Sequence, residues 1–173
     1  YCLDRDQGTV LWKKEVHQGT PPVGRHHKNT YASETPCVDE HRVYVLFGDL
    51  GLYCFDHGGR ALWDVPIEPE ETMRDYGAAA SPVLEGNRIF VQYDNANASF
   101  IAAFETTTGK ELWRKPREEK TTWATPFIWK TESRNELITA GRNRIRSYDL
   151  DGNVLWHMDG KMSVLTSPSP FAA

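Results

Sequence analysis

A short motif, glycine followed four residues later by tryptophan with leucine just before it, occurs four times in this 173-residue chain. The four tryptophans are 51, 50 and 43 residues apart. Such spacing is typical of arrays in which each repeat is one structural unit that buries its faces against its neighbours. The copies are Gly8-Thr-Val-Leu-Trp12, Gly59-Arg-Ala-Leu-Trp63, Gly109-Lys-Glu-Leu-Trp113 and Gly152-Asn-Val-Leu-Trp156.

An apolar residue followed by an acid stands a few residues before each of these glycines. The pattern predicts a strand that ends in a tight turn, where the acid bonds the turn backbone and glycine adopts a positive φ without steric cost. The tryptophan motif would then begin the next strand. The pairs are Leu3-Asp4, Phe55-Asp56, Phe104-Glu105 and Tyr148-Asp149.

A small polar residue and a proline recur after each tryptophan and lead into a short apolar run. Because proline cannot donate to a strand ladder, these runs are predicted to be edge strands, and in a radial array the edge strand is innermost. The copies are Thr35-Pro36, Ser81-Pro82, Thr125-Pro126 and Ser167-Pro168. Further runs rich in β-branched and aromatic residues follow, as expected of strands covered on both faces.

Each repeat therefore contains four strands and no helical periodicity, which predicts an all-β fold made of β-propeller blades. We expect three complete four-stranded blades at about 33–67, 79–117 and 122–158, with partial blades at 1–16 and 164–173. All of 1–173 would belong to one domain. Since propellers close with about four to eight blades, we expect a segment of a larger ring whose remaining blades are partners of this one.

The repeat resembles a known family. Residues 103–113, Ala-Phe-Glu-Thr-Thr-Thr-Gly-Lys-Glu-Leu-Trp, resemble the tryptophan-docking motif of the PQQ-like, quinoprotein-type β-propeller repeats, and Ser81-Pro-Val with Arg88-Ile-Phe-Val resembles the inner part of that repeat. We expect the four motif tryptophans and their glycines to be structural, each ring packing on the adjacent blade with its indole N–H bonded to a carbonyl there. The resemblance implies a bacterial protein that is periplasmic, outer-membrane-associated or secreted.

Trp123 is the candidate for a cofactor contact, because it stands three residues before Pro126, where the other repeats have small or aliphatic residues. On an inner strand it would face the central channel, and a channel tryptophan resembles the ring on which the quinone stacks in quinoprotein dehydrogenases. Packing between blades is the favoured interpretation. The chain has no adjacent cysteines and no assignable calcium set, so we predict no cofactor for this segment; the alternative is PQQ with calcium.

Two further features have mainly structural interpretations. Asp94, Asn95 and Asn97 place oxygen ligands in a pattern that can bind calcium, but a solvated hairpin turn between two strands is favoured. Cys2 and Cys54 occupy equivalent repeat positions and are expected to be packed free thiols.

The two longest connections are the best indication of a binding surface. One holds His26, His27, Lys28 and Asn29, and Trp12 to Pro36 takes 24 residues where the third repeat needs 13. The other holds Arg74, Asp75 and Tyr76. Both join equivalent strands, so they are expected on one face of the ring, and long loops on a rigid scaffold often bind partners.

Composition excludes some classes of function. The formal net charge is −4 and the basic residues are scattered, which disfavours a nucleic-acid partner, and no apolar run approaches the ~20 residues of a spanning helix. We therefore predict a non-catalytic PQQ-like propeller that binds a protein or small-molecule partner. The alternative is a fragment of a PQQ-dependent dehydrogenase whose cofactor site lies mostly in other blades, and polysaccharide binding through Trp129 or the long loops is a third possibility.

Overall fold

The computed structural model describes residues 1–160 and 162–171, and its regular structure consists of strands apart from one short 3₁₀ turn, Met73–Asp75. Fourteen strands lie within the described residues. They are β1 (Cys2–Leu3), β2 (Val10–Trp12), β3 (Cys37–Val38), β4 (Arg42–Phe47), β5 (Gly51–Asp56), β6 (Ala61–Pro66), β7 (Val83–Glu85), β8 (Arg88–Tyr93), β9 (Phe100–Glu105), β10 (Glu111–Pro116), β11 (Phe127–Lys130), β12 (Asn135–Ala140), β13 (Arg144–Tyr148) and β14 (Val154–Asp159).

Strands adjacent in sequence pair antiparallel and form four separate sheets. β1 and β2 form a two-stranded sheet, and β3 to β6, β7 to β10 and β11 to β14 form three four-stranded sheets, here called the first, second and third blades. The predicted all-β propeller segment, with three complete blades, is confirmed. At the C-terminal end, residues 164–171 contain no strand, and the last two residues of the expected partial blade lie outside the described residues.

The first strand of each blade is its inner edge. β3 contacts β7, and β7 contacts β11, so these three strands converge where neighbouring blades meet. Pro36, Pro82 and Pro126 each stand immediately before one of these strands. The missing proline N–H therefore lies just ahead of the ladder.

The small polar residues before the prolines link the inner ends of the blades. The Thr35 N–H donates to Ser81 Oγ at 2.8 Å, the Ser81 N–H to Thr125 Oγ1 at 3.0 Å, and the Thr125 N–H to Ser169 Oγ at 3.0 Å. The fourth member of the series is thus Ser169, followed by proline. The sequence assignment of Ser167 to this position was wrong by two residues, because two Ser-Pro pairs stand in succession there and only the hydrogen bond distinguishes them.

The apolar core lies between blades. One cluster joins the first and second blades and includes Tyr44, Leu52, Ile89 and Val91; another joins the second and third and includes Phe90, Ile101, Leu137 and Tyr148. Strands β8 and β9 of the second blade are almost entirely buried. Both of their faces are covered because this blade has a complete neighbour on each side.

Among residues 1–160 and 162–171, no helix has the length and apolar character needed to cross a membrane.

Candidate functional site

The tryptophans of the first three motifs contact the turn of the next sheet. The indole N–H of Trp12 donates to His57 O at 2.9 Å, that of Trp63 to Thr106 O at 3.1 Å, and that of Trp113 to Leu150 O at 3.0 Å. Trp156 has no following blade within the described residues and bonds Glu136 Oε2 of its own sheet at 2.7 Å.

The motif glycines supply the surface that these rings cover. Gly59, Gly109 and Gly152 have φ between 73° and 82°. A Cβ on each would lie 2.6–2.8 Å from the ring of the tryptophan in the preceding motif, which is Trp12, Trp63 and Trp113 respectively. Two independent requirements, a left-handed backbone and close ring approach, thus select glycine. Gly8 has the same backbone conformation, with φ +67°, but nothing within 4 Å of its Cβ position.

The two long connections meet on one face of the molecule. The first runs from β2 to β3 and the second from β6 to β7. The backbone N–H of His26 donates to Tyr76 O at 3.3 Å. The rings of His26 and Tyr76 pack edge to face, with their centroids 4.6 Å apart. The His27 ring lies 4.4 Å from that of His26. These contacts hold the first connection against the second.

Trp123 joins the same cluster. Its ring centroid is 6.1 Å from that of Tyr76, and its indole N–H donates to Gly77 O at 2.8 Å. Trp123 does not lie on an inner strand, the position that a channel contact with a cofactor would require: it precedes β11 in the connection from β10, and its backbone N–H donates to Thr166 O. Proline at 126 sets where β11 begins, so the residues before it belong to the connection.

These contacts create a shallow pocket of about 460 Å³, here called the loop-face pocket. Its lining combines aromatic rings with hydrogen-bond donors, and no carboxylate of the described residues takes part. The lining residues are His26, Lys28, Asn29, Tyr76, Ala79, Trp123, Leu165 and Ser167. His27, Arg74 and Asp75 of the two connections do not line it.

A strained backbone holds Tyr76 in place. Arg74 and Asp75, immediately before it, have φ of 55° and 60°, left-handed values that are costly for residues other than glycine. A Cβ at Gly24 in the first connection would lie 2.5 Å from the Asp75 carboxyl group. Because Gly24 has no side chain, it leaves room for the strained segment at Arg74 and Asp75. Backbone strain of this kind tends to occur at functional sites.

The turn at residues 94–99, predicted to be solvated, is exposed only at its tip, Asn97 and Ala98, whereas Asp94, Asn95 and Ser99 are buried. Asp94 forms a fully buried ion pair with Arg117 at 2.7 Å and also accepts bonds from Gln92 and Thr122. Asn95 Oδ1 accepts the backbone N–H groups of residues 97 and 98, and the Asn97 side chain donates to Glu70. Their oxygens are largely occupied by protein donors, so the set does not fit calcium.

The remaining candidate chemistry is also structural. Cys2, Cys37 and Cys54 are free thiols. Burial raises the pKa of both Cys37 and Cys54 to about 12, so they stay protonated and are poor nucleophiles. Within the described residues, no group of three or more His, Cys, Asp or Glu side chains is placed to hold a metal ion.

Sequence reasoning missed several charged residues that the fold shields from solvent, among them the half-buried Glu34 and the buried Asp49 and Arg117. Arg117 follows β10 and reaches Asp94 across its own blade and Thr139 in the next. None of the three belongs to a repeated motif, so periodicity provided no signal for them. Their partners are distant in sequence and are brought near only by the packing of blades.

A family model described as "Outer membrane protein assembly factor BamB" matches residues 1–159. The chain belongs to this family of PQQ-like propellers. A search of curated proteins finds no match to the chain.

Solved structures show the same fold. BamB from Moraxella catarrhalis is 15% identical, with a TM-score of 0.65 over 95% of this chain and 44% of its own. Quinohemoprotein alcohol dehydrogenase ADHIIG from Pseudomonas putida HK5 is 16% identical, with a TM-score of 0.59 over 91% of this chain and 30% of its own. The corresponding enzyme from Comamonas testosteroni is 17% identical, with a TM-score of 0.55 over 79% and 21%. The chain thus spans less than half the length of these relatives.

Proposed function

We propose that this chain is part of a non-catalytic PQQ-like propeller that acts as an interaction scaffold in the bacterial cell envelope or outside the cell. Its partner, a protein or a small molecule, binds at the loop-face pocket. The observation that carries the proposal is the convergence of two long connections and Trp123 into one pocket. Membership of a family described by an envelope assembly factor supports the compartment and the scaffold role.

The composition of the pocket favours a ligand or partner segment with hydrogen-bond acceptors. Lys28 supplies a cation, Asn29 and Ser167 supply polar groups, and Tyr76 and Trp123 supply flat apolar faces. Aromatic residues beside a few polar groups are typical of binding sites that contact a partner through rigid anchors. The strain at residues 74 and 75 fixes one of these anchors before binding.

The residues of this chain do not fit a quinone with calcium. A quinone site needs planar covers on both faces of the cofactor and a metal at its oxygens. Trp123 could supply one cover at most, and Asp94, the candidate acidic ligand, is paired with Arg117. The dehydrogenase alternative would therefore need its cofactor site in other blades.

The pocket is tested by site-specific photocrosslinking in the native host with the full-length protein. A photoreactive residue replacing Lys28 should give a discrete crosslinked product, and Trp123→Ala should abolish it. A photoreactive residue replacing Lys130, exposed on β11, is the matched control and should give none. Equal products from both positions, or a product that survives Trp123→Ala, would contradict the proposal.

The dehydrogenase alternative is tested by titrating the chain with quinone and calcium while following tryptophan fluorescence. We expect no saturable binding in the micromolar range. Saturable binding that Trp123→Ala abolishes, together with dye-linked alcohol oxidation, would favour the dehydrogenase.

A further inference from the structure

Both connections that form the loop-face pocket are attached to the turn between β4 and β5. On the first connection, Glu34 Oε1 accepts the N–H of Gly48 at 3.0 Å. The other carboxyl oxygen of Glu34 is buried and has no hydrogen-bond partner among the described residues. The first connection is therefore held here by one hydrogen bond, which the Gly48 N–H donates to a carboxyl group whose other oxygen has no partner in the part of the chain that the structure describes.

The second connection is attached to the same turn through the neighbouring residue. Asp49 is buried, accepts the Tyr93 hydroxyl at 3.1 Å and bonds the Ala78 N–H. Gly48 has no room for a Cβ because the methyl group of Ala78 lies against it. This arrangement fixes the segment that continues from the strained residues to Ala79 in the pocket lining.

The attachment by Glu34 leads directly to the pocket. Ser33, its neighbour, donates from Oγ to Asn29 Oδ1 at 2.9 Å, and Asn29 lines the pocket together with Lys28 and His26. Any movement of Glu34 away from the turn would displace Ser33 and remove this support from the first connection.

The electrostatic setting of Glu34 favours its neutral form. Burial raises the pKa of Glu34 to about 7, the hydrogen bond from the Gly48 backbone N–H opposes the rise, and the Asp49 carboxylate adds to it. Asp49, from the β4–β5 turn, is the charged group that faces it. Burial also raises the pKa of Asp49. An ionised Glu34 would place a second negative charge beside Asp49 in a poorly hydrated site.

We propose that Glu34 is a pH-dependent latch of the loop-face pocket: its protonated side chain fastens the first connection onto the Gly48 turn, and loss of the proton to solvent releases it. The latch rests on the proposed function of the pocket and specifies its regulation. The pocket would be most ordered in an acidic medium and loosen toward neutrality.

The expected pH window follows from linkage. Once released, Glu34 titrates near its ordinary value of 4.5, whereas in the closed state it titrates near 7. The closed form therefore binds the proton more tightly, and its stability is complete below about pH 4.5 and is lost as pH rises to about 7. The equilibrium constant for opening of the first connection should increase up to about tenfold per pH unit in this interval and level off above it.

Amide hydrogen exchange of the full-length protein between pH 4 and 8 tests the latch. After correction for intrinsic exchange, protection of residues 26–34 should fall across this window in the wild type. Glu34→Gln keeps the neutral shape and should make protection independent of pH. Asp49→Asn removes the negative charge that faces Glu34 and should move the upper end of the pH window, in which protection falls, below pH 7. Unchanged pH dependence in Glu34→Gln, or none in the wild type, would overturn the proposal.

A second readout separates the latch from the proposed function. The crosslink from the photoreactive residue at position 28 is measured at pH 5.5 and pH 8 in the wild type and in Glu34→Gln. A product whose yield falls with pH only in the wild type supports both proposals. A product with the same pH dependence in both proteins overturns the latch and leaves the scaffold function standing. No product at either pH contradicts the scaffold function, while the exchange data still decide the latch.

Discussion

At the scale of single residues, the tryptophan and glycine of neighbouring repeats act as one pair. Trp63 covers Gly109, and Trp113 covers Gly152, with each indole bonded to the same turn that contains the glycine. The tryptophan ring stabilises the contact between blades through the apolar area that it buries and through the hydrogen bond of its indole N–H. Contact between neighbouring blades therefore depends on both residues, and each can be tested separately.

Trp113→Ala should lower the free energy of unfolding by about 3–5 kcal/mol, because it removes a packed aromatic ring between two complete blades. Equilibrium urea unfolding of the full-length protein measures this. Leu112→Ala is the control, since that side chain is 41% exposed and its truncation should cost within about 0.5 kcal/mol. A decrease of less than about 1 kcal/mol in the free energy of unfolding of Trp113→Ala would show that the ring does not pack on the next blade.

Gly109→Ala should destabilise the protein more than Gly8→Ala. Both glycines have positive φ, +73° and +67°, so both variants suffer backbone strain. Only at Gly109 would the new methyl group meet a ring, that of Trp63 at 2.6 Å, which adds about 1–3 kcal/mol of overpacking. Thermal unfolding of the two variants compares them, and equal melting temperatures would refute the close-packing role of Gly109.

At the scale of elements, hydrogen bonds and an ion pair connect blades at places that the apolar core does not reach. The hydroxyls of Ser81, Thr125 and Ser169 each accept the backbone N–H of the preceding repeat at the inner edge. Arg117 bonds Asp94 in the second blade and Thr139 in the third. The relative position of blades is therefore specified by directional bonds as well as by packing.

Arg117→Met should cost about 3–5 kcal/mol, because it leaves the Asp94 carboxylate buried without its counter-ion. Arg60→Met removes the exposed pair of Arg60, 78% exposed, with Asp56 and should cost at most about 1 kcal/mol. Urea unfolding of both variants gives the comparison. Similar losses in the two would mean that the buried pair has no special role in joining the blades.

At the scale of the whole molecule, the two ends of the array differ from its middle. Val154 and Met158 on β14 are 55% and 54% exposed, while β8 and β9 in the second blade are nearly inaccessible. Gly8 has no ring against it, and Trp156 bonds within its own sheet. Both terminal sheets therefore expose faces that are covered in the middle blade.

The 173-residue chain, produced alone, should associate or be poorly soluble, since its terminal sheets expose apolar faces and strand edges. Multi-angle light scattering over a range of concentrations measures this. Val154→Lys with Met158→Lys, which adds charge to the exposed strand, should reduce association. A stable monomer with a sharp cooperative melting transition would contradict the prediction that the chain is a segment of a larger ring.

The repeating part of the structure was predictable because it depends on local chemistry. Positive φ at the turn glycines, prolines just before the edge strands and the alternation of β-branched and aromatic residues act within a few residues, and four copies make the pattern visible. The blade architecture and the presence of two long connections on one face could thus be inferred without coordinates.

Tertiary structure alone decided what the repeats do not encode. Trp123 lies in the pocket against Tyr76, and the turn at residues 94–99, expected in solvent, buries Asp94, Asn95 and Ser99 while Asn97 and Ala98 stay exposed. Burial raises the pKa of Glu34 to about 7, and the nearby Asp49 carboxylate adds to the rise. Burial, ion pairing and proton affinity depend on which distant segments meet. A residue's own sequence neighbourhood carries no information about that environment, which is why the pocket forms only when the blades and their connections pack together.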